Sequence, residues 1–410
     1  MRHLYLAATG QNRGKTTAAL GLLDGFRRRG FHTGFMKPVG QRPIPVGAEP
    51  ADDNGLTYTH LVDEDALLMR TVFGLPESGS VMSPVHIPRG FTKAYIAGEV
   101  VEDLGALIVE AHGHFAGHEI LLIEGTGHAG VGAVVGLSNA MVASMLGAPA
   151  VIVSEGGVGR PIDEIVLNAS YFAAHGVPVA GALVNKVRID EQPGIERTLE
   201  RGLALHGIPL LGVLPYRPIL SSPTLGMVLE GVHGRVINTG PDLDRVIGGV
   251  AVGAMEPHHM LDRMGPCTLV IVASDRSEAI LELAAAYVAS RSCVDVDDQP
   301  KAGPGATAGA IDARNGKVLG LVLTGGYEPG AEVLAVLRNA GMFAASVDED
   351  TYTVASQVQG LLVKTHAADT GKIELIKELV WEHLKMDRFL EVASEPRFAR
   401  GPGAAHLGPK

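Results

Sequence analysis

Cysteine is nearly absent from this chain: 410 residues carry two, Cys267 and Cys293. One pair cannot build a disulfide framework, and such sparing use fits a reducing compartment. Aromatic residues are scarce at 5%, with a single tryptophan, while glycine reaches 53 residues. That aliphatic, glycine-rich balance suits parallel α/β sheets covered on both faces. Positive charge is also short. Lys and Arg total 34 against 45 Asp and Glu, a net charge of −11, which argues against a nucleic-acid partner, since a phosphate backbone demands a basic face. The chain runs from residue 1 into a strand with no charged segment, apolar core and cleavage site, so the expected location is the cytoplasm.

Long uninterrupted apolar runs are missing too. Residues Ala129 to Ser154 carry no charge and reach the roughly 20 residues that span a bilayer. Several glycines, Ser138, Asn139, Ser144 and Pro149 interrupt them. The stretch reads as a glycine loop, a buried helix near Ser138–Met145 and a buried strand at Ala150–Val153. No membrane insertion is expected.

What is present points to two domains. Apolar runs at Leu4–Ala8, Thr33–Met36, Ile120–Ile123, Ala150–Val153, Val179–Val184 and Leu210–Leu214 read as strands. Helical patterns lie between them, among them Ala106–Phe115 and Lys15–Arg29, which Gly30 stops. Alternation of this kind builds a parallel sheet with right-handed crossovers. A second α/β unit follows, with strands at Leu269–Val272, Val318–Leu323 and Phe343–Val347 and helices at Glu278–Ala289 and Ala331–Asn339. The expected domains are residues 1–235 and 241–392, the second closed by a long amphipathic helix over Asp369–Leu390. Val294–Lys317, rich in Gly, Ala, Asp and Pro, is expected to be a mobile insertion, and 393–410 a disordered tail.

The most informative segment is Ala8-Thr9-Gly10-Gln11-Asn12-Arg13-Gly14-Lys15-Thr16-Thr17. It follows a strand and opens a helix, the context a phosphate-binding loop requires. Glycine lets the backbone curl so that amides from Gly10 through Thr17 point at phosphate oxygens, and the helix start adds partial positive charge. Lys15 would reach the outer phosphates and Thr16 would complete a magnesium shell. Thr9 stands where the usual pattern has its first glycine. Lys37 ends the next strand, where a second cation could offset charge moving in phosphoryl transfer. Glu124 leaves an apolar strand just before glycines, at the sheet edge where ligands collect, and suits a magnesium ion directly or through water. His112, His114, His118 and His128 cluster in sequence but lack a carboxylate-bearing zinc motif and read as solvated, as do His258 and His259. Asp350 reads as a helix cap. Ser83 and Ser154 lack a nucleophile-elbow pattern.

Together the loop, Lys37-Pro38-Val39, Ser83-Pro84 and Glu124-Gly125-Thr126-Gly127 resemble dethiobiotin synthetase. The closer similarity is to the dethiobiotin-synthetase-like N-terminal region of long phosphate acetyltransferases, which a DRTGG domain follows. Asp275-Arg276-Ser277-Glu278, Leu323-Thr324-Gly325-Gly326 and Asp350-Thr351-Tyr352 resemble that second domain. The resemblance implies an α/β P-loop NTPase domain followed by a smaller α/β domain, with ATP and Mg2+ as cofactors. It assigns Lys15 and Lys37 to catalysis and Thr16, Asp65 and Glu124 to the metal. By the same similarity Asn185 would face the base and Pro215 the adenine plane, and the protein would be a homo-oligomer. Position 188 is Arg, not the acid a guanine reader would use, so ATP is expected over GTP.

The synthetases carry Glu-Gly-Ala-Gly-Gly where this chain has Glu124-Gly125-Thr126-Gly127-His128, so diaminopelargonic acid is not the expected substrate. The chain is read as lacking the acetyltransferase domain, and complete phosphate acetyltransferase activity is not expected. The leading functional expectation is a weak ATPase or regulatory nucleotide sensor. One alternative is an ATP-dependent ligase that activates a small carboxylate or carbamate for attack by an amine. Another is a non-catalytic oligomeric scaffold.

Overall fold

The computed structural model describes residues 1–41, 43–48, 59–188, 193–240, 243–292, 316–361 and 363–393. Most of the expected mobile insertion (294–315) and the expected tail from 394 lie outside the described residues.

The first unit is built on a six-stranded parallel sheet. Its strands are β1 (Arg2–Ala8), β2 (Thr33–Met36), β3 (Ile120–Glu124), β4 (Ala150–Glu155), β5 (Val179–Val187) and β6 (Leu210–Pro215), ordered β6-β5-β4-β1-β3-β2. Every neighbouring pair is parallel. From β1 the chain crosses to one edge, returns to insert β3, then crosses to the opposite side. The order therefore reverses around β1, and the crevice outside the carboxyl ends of β1 and β3 is where an open α/β sheet takes ligands.

Residues of β3 and β6 are all buried, as are those of β1 after Arg2, because helices cover both faces. This explains why these strands read as continuous apolar runs and not as alternating ones. Leu4, Leu6, Leu122 and Ile152 are fully buried, each contributing about 1.5–3 kcal/mol relative to an exposed side chain. Helix α1 (Lys15–Arg28) follows β1, α2 (Glu64–Phe73) precedes β3, and α3 (Asn139–Met145) and α4 (Gly159–Ala174) flank β4. The uncharged stretch is a glycine loop, then α3, then β4. Among the described residues no helix is long and apolar enough to cross a membrane.

The closing helix expected over Asp369–Leu390 is two helices, α5 (Thr370–His383) and α6 (Met386–Val392). Leu384 is extended and forms an antiparallel bridge with Gly212 of β6, while the Lys385 amide donates to the Leu211 carbonyl at 3.0 Å. The sheet edge thus captures the chain in mid-helix. Gly212 permits this, for a Cβ there would meet the Leu384 side chain and the His383 carbonyl. The segment from His366 belongs to the first unit, where α5 packs on α1.

The second unit is Arg217–Thr365, in place of the expected division at 235–241 with an end at 392. Its sheet has strands β7 (Arg235–Asn238), β8 (Gly249–Val252), β9 (Thr268–Ala273), β10 (Val318–Thr324) and β11 (Phe343–Ser346), ordered β7-β11-β10-β9-β8. β7 is antiparallel to β11 and the other pairs are parallel. Val270 and Val272 enter one core cluster, and Leu269 and Ile271 the other, the period of two that places successive side chains on opposite faces. Leu225, Val228 and Val232 are buried in the second of these clusters, which is why the unit begins before residue 235.

Candidate functional site

The phosphate-loop segment occupies the turn between β1 and α1. Two residues in left-handed conformation curl it, Asn12 (φ 58°) and Gly14 (φ 92°). Gly14 has a second reason to be glycine: a Cβ there would collide with the Asn185 side-chain amide. Gly14 caps α1 without any side-chain hydrogen bond, and Lys15, Thr16 and Thr17 form the first turn. Such a helix start is suited to receive an anion.

Supports surround the loop. The Asn185 amide nitrogen donates to the Arg13 carbonyl at 3.0 Å, and Lys186 Nζ to the Asn12 carbonyl at 2.8 Å. Lys186 has φ 55°, a conformation that a non-glycine residue adopts where surrounding contacts require it. Glu155 at the end of β4 pairs with Arg13 and, at 2.9 Å, with Lys186. These contacts and burial act on Glu155 in opposite senses: burial raises its pKa, and Lys186 and Arg13 overcome that and leave it lowered. Thr9 donates to Glu164 of α4 at 2.8 Å and lies 3.1 Å from the Ser154 hydroxyl. None of the supporting roles of Glu155, Glu164 and Ser154 has a sequence signal; three crossovers bring them together. Asn185 Oδ1 accepts from the Lys186 amide at 2.8 Å, and Pro215 is buried at the end of β6. Arg188 stacks over Tyr216, 5.5 Å from the ring centroid.

Of the expected metal and catalytic side chains, Thr16, Lys37, Asp65 and Glu124 come together at the ends of β2 and β3. The Thr16 hydroxyl donates to Glu124 Oε1 at 2.9 Å. Lys37, which follows β2, pairs with Asp65, lies 3.1 Å from Asp63 and 3.9 Å from Glu124. All four charged groups are buried. Burial opposes the Lys37 charge, but Glu124, Asp65 and Asp63 outweigh it and hold the ammonium charged well above its usual range. Burial raises Glu124, Lys37 and Lys15 pull it back, Asp65 pushes it up again, and it settles at about 7.

The Asp63 carboxylate caps α2 by accepting from the Asp65 amide at 3.0 Å and also faces Lys37, a second task that no spacing in the sequence announces. Ser83 Oγ is buried without a hydrogen-bond partner, and a Cβ on Gly40 would meet that oxygen, His86 Nδ1 and Asp63 together.

The residues present fit a divalent cation. Glu124 Oε2 is buried and has no hydrogen-bond partner, beside a hydroxyl already on Oε1. Among the described residues no three His, Cys, Asp or Glu side chains could hold a metal by themselves. A hard cation bound by carboxylate, hydroxyl, phosphate and water oxygens needs no such cage. Of the clustered histidines, His128 lies in the segment that follows Glu124, while His112 and His118 have partners of their own and His118 is buried, not solvated as expected. His112 faces His3 at 3.2 Å, and His118 lies 3.3 Å from Glu77 and stacks on His32.

The profile of the AAA domain family matches residues 2–224, more than half of the chain. The chain belongs to that family. A DRTGG domain profile matches residues 227–361, next to the AAA domain and within the second unit. The phosphate acetyltransferase of Pseudomonas putida is 26% identical over 420 residues, covering 98% of this chain and 53% of that protein. The ATP-dependent dethiobiotin synthetase BioD of Bacillus cereus is 27% identical over 224 residues, 53% of this chain and 84% of the synthetase. The chain spans about half the length of the phosphate acetyltransferases it matches. A crystal structure of the CBS and DRTGG domains of Clostridium perfringens pyrophosphatase, complexed with diadenosine tetraphosphate, aligns at 20% identity. It covers 35% of this chain and 50% of that one, with a TM-score of 0.25, a likeness too slight to build on.

Proposed function

We propose that the AAA domain binds Mg·ATP and acts as a nucleotide sensor with slow turnover of its own. The observation that carries this reading is the pairing of Thr16 with Glu124 Oε1 at 2.9 Å, with Lys37 3.9 Å from the same oxygen and the second Glu124 oxygen buried and unpartnered. A hydroxyl and a carboxylate so placed, one turn from a glycine-capped helix start, suit a cation bridging protein and phosphate. The loop amides and Lys15 would hold the phosphates. Thr16, Glu124 and Asp65 would hold Mg2+, which when bound would neutralise charge on the phosphate tail. By the resemblance, Asn185 and Pro215 would lie toward the base, and the Asn185 amide also steadies the loop through the Arg13 carbonyl. The similarity to an N-terminal half of phosphate acetyltransferases supports a sensing role for the pair of domains.

Calorimetry with Mg·ATP, followed by single-turnover hydrolysis, tests the reading. Saturable heat and slow phosphate release are expected, with binding lost in Lys15→Ala. Absence of heat, or an unchanged affinity in that variant, would sink it.

One observation favours a second reading, phosphoryl transfer to a small carboxylate or carbamate in the manner of a ligase. Lys37 is buried against three carboxylates at the sheet edge, where an ammonium serves charge transfer to an acceptor better than it serves nucleotide affinity alone. Mg·ATP turnover against a panel of amines and acids separates the two. A large stimulation by one pair favours the ligase; none favours the sensor.

A further inference from the structure

We infer that Asn139 is a positioning residue that sets the segment after β3, and thereby Glu124, for Mg·ATP; the inference rests on the reading of the site just given. Asn139 opens α3, is 2% exposed and belongs to none of the motifs expected to touch nucleotide or metal. Its Oδ1 accepts from the Tyr5 hydroxyl of β1 and from the Thr126 amide, both at 2.9 Å. Its Nδ2 donates to the Thr126 carbonyl at 2.6 Å and to the His128 carbonyl at 2.7 Å. All four hydrogen-bonding positions of the amide are therefore used, three of them on the backbone of residues 126–128.

The same segment is tied to the strand that carries the phosphate loop. The Gly125 amide donates to the Leu6 carbonyl at 2.8 Å, and the Ala8 amide to the Gly127 carbonyl at 3.0 Å. Gly125 is glycine because a Cβ there would strike Asn139 Oδ1 and the Tyr5 ring. Glu124, the phosphate-loop entrance and residues 125–128 thus form one hydrogen-bonded frame with Asn139 at its centre. An amide alone suits this centre: Oδ1 must accept from two donors while Nδ2 donates to two carbonyls. In Asn139→Asp the second carboxylate oxygen would face the Thr126 and His128 carbonyls, and that end of the frame would be repelled. The phosphate loop itself is held by Asn185, Lys186 and Glu164, none of which touches Asn139 in this network. Loss of the amide is therefore expected to act on metal-dependent binding and not on phosphate binding as such.

The test is fluorescent-nucleotide titration of the full chain in chelator and again in Mg2+. Asn139→Asp is expected to match the wild type in chelator while losing about tenfold or more of the gain that Mg2+ confers. Tyr5→Phe, which leaves the three backbone bonds intact, is expected to keep most of that gain. A folded Asn139→Asp with the full magnesium gain overturns the inference, as does one that loses binding in chelator to the same degree. Hydrogen exchange of the wild type keeps the idea testable if the variant does not fold: the Thr126 amide is expected to be strongly protected, and exchange at open-loop rates overturns it. A wild type with no magnesium gain would sink instead the reading of the site.

Discussion

At the scale of single residues, the proposed chemistry rests on Glu124 and Lys37. Glu124→Gln keeps shape and removes charge, so the affinity gain from Mg2+ is expected to fall by at least about tenfold, since even residues that merely support ligands cost that much; parallel titrations in chelator and Mg2+ read it. Lys37→Met removes the ammonium that faces Asp63, Asp65 and Glu124. Stripping one partner from a buried ionic cluster costs about 3–5 kcal/mol. The metal-free variant should unfold at correspondingly lower urea, and Mg2+ should raise its Tm more than it raises the wild type's, because a cation then takes up the uncompensated charge. Equal stability in urea would contradict this account. Lys15, Thr16, Lys37 and Glu124 were legible because each sits at a fixed distance from a strand end. Asp63, Glu155 and Asn139 were not, because their partners lie on other crossovers and no spacing announces them.

At the scale of elements, helix α1 shows how packing overrules propensity. Gly21 faces Val380 of α5, and a Cβ there would overlap that side chain. In an isolated helix Gly→Ala gains about 1 kcal/mol. Here Gly21→Ala forces two helices apart, and overpacking of this kind costs about 1–3 kcal/mol, so a net loss of stability is expected in urea titration. A net gain would mean that α5 gives way. The same docking explains the error over Asp369–Leu390. Amphipathic periodicity carries through Leu384, but the carbonyl of Leu211 and the space at Gly212 claim the backbone there. Strand positions fared better, since fully buried parallel strands must be apolar throughout.

Over the whole molecule, stability is expected to depend on pH through buried His3 and half-buried His112, at the opposite end of β1 from the phosphate loop. Burial lowers His3 from 6.5 to about 4, with His112 and the N-terminal amine pushing the same way; burial lowers His112 as well. The unfolded chain therefore binds protons more tightly than the folded one. The contribution of this pair to stability is complete above about pH 6.5 and is lost as pH falls toward 4. His3→Asn should flatten that acid limb in urea titrations at a series of pH values, and an unchanged slope would count against the assignment. The second unit carries a core on each face of its own sheet. Expressed as residues 217–365, it is expected to unfold cooperatively, as calorimetry would show; a broad, non-cooperative transition would contradict an independent core.

The sequence by itself determined the α/β class, the parallel strands and the phosphate loop, because these follow from apolar runs, glycine positions and local helix starts within a few residues of one another. Tertiary structure alone decided where the units divide, that α5 and α6 return to the first unit, and which carboxylates face Lys37. Those outcomes depend on contacts between residues tens to hundreds of positions apart, whose energies are set by burial and hydrogen-bond geometry and leave no local pattern in the chain.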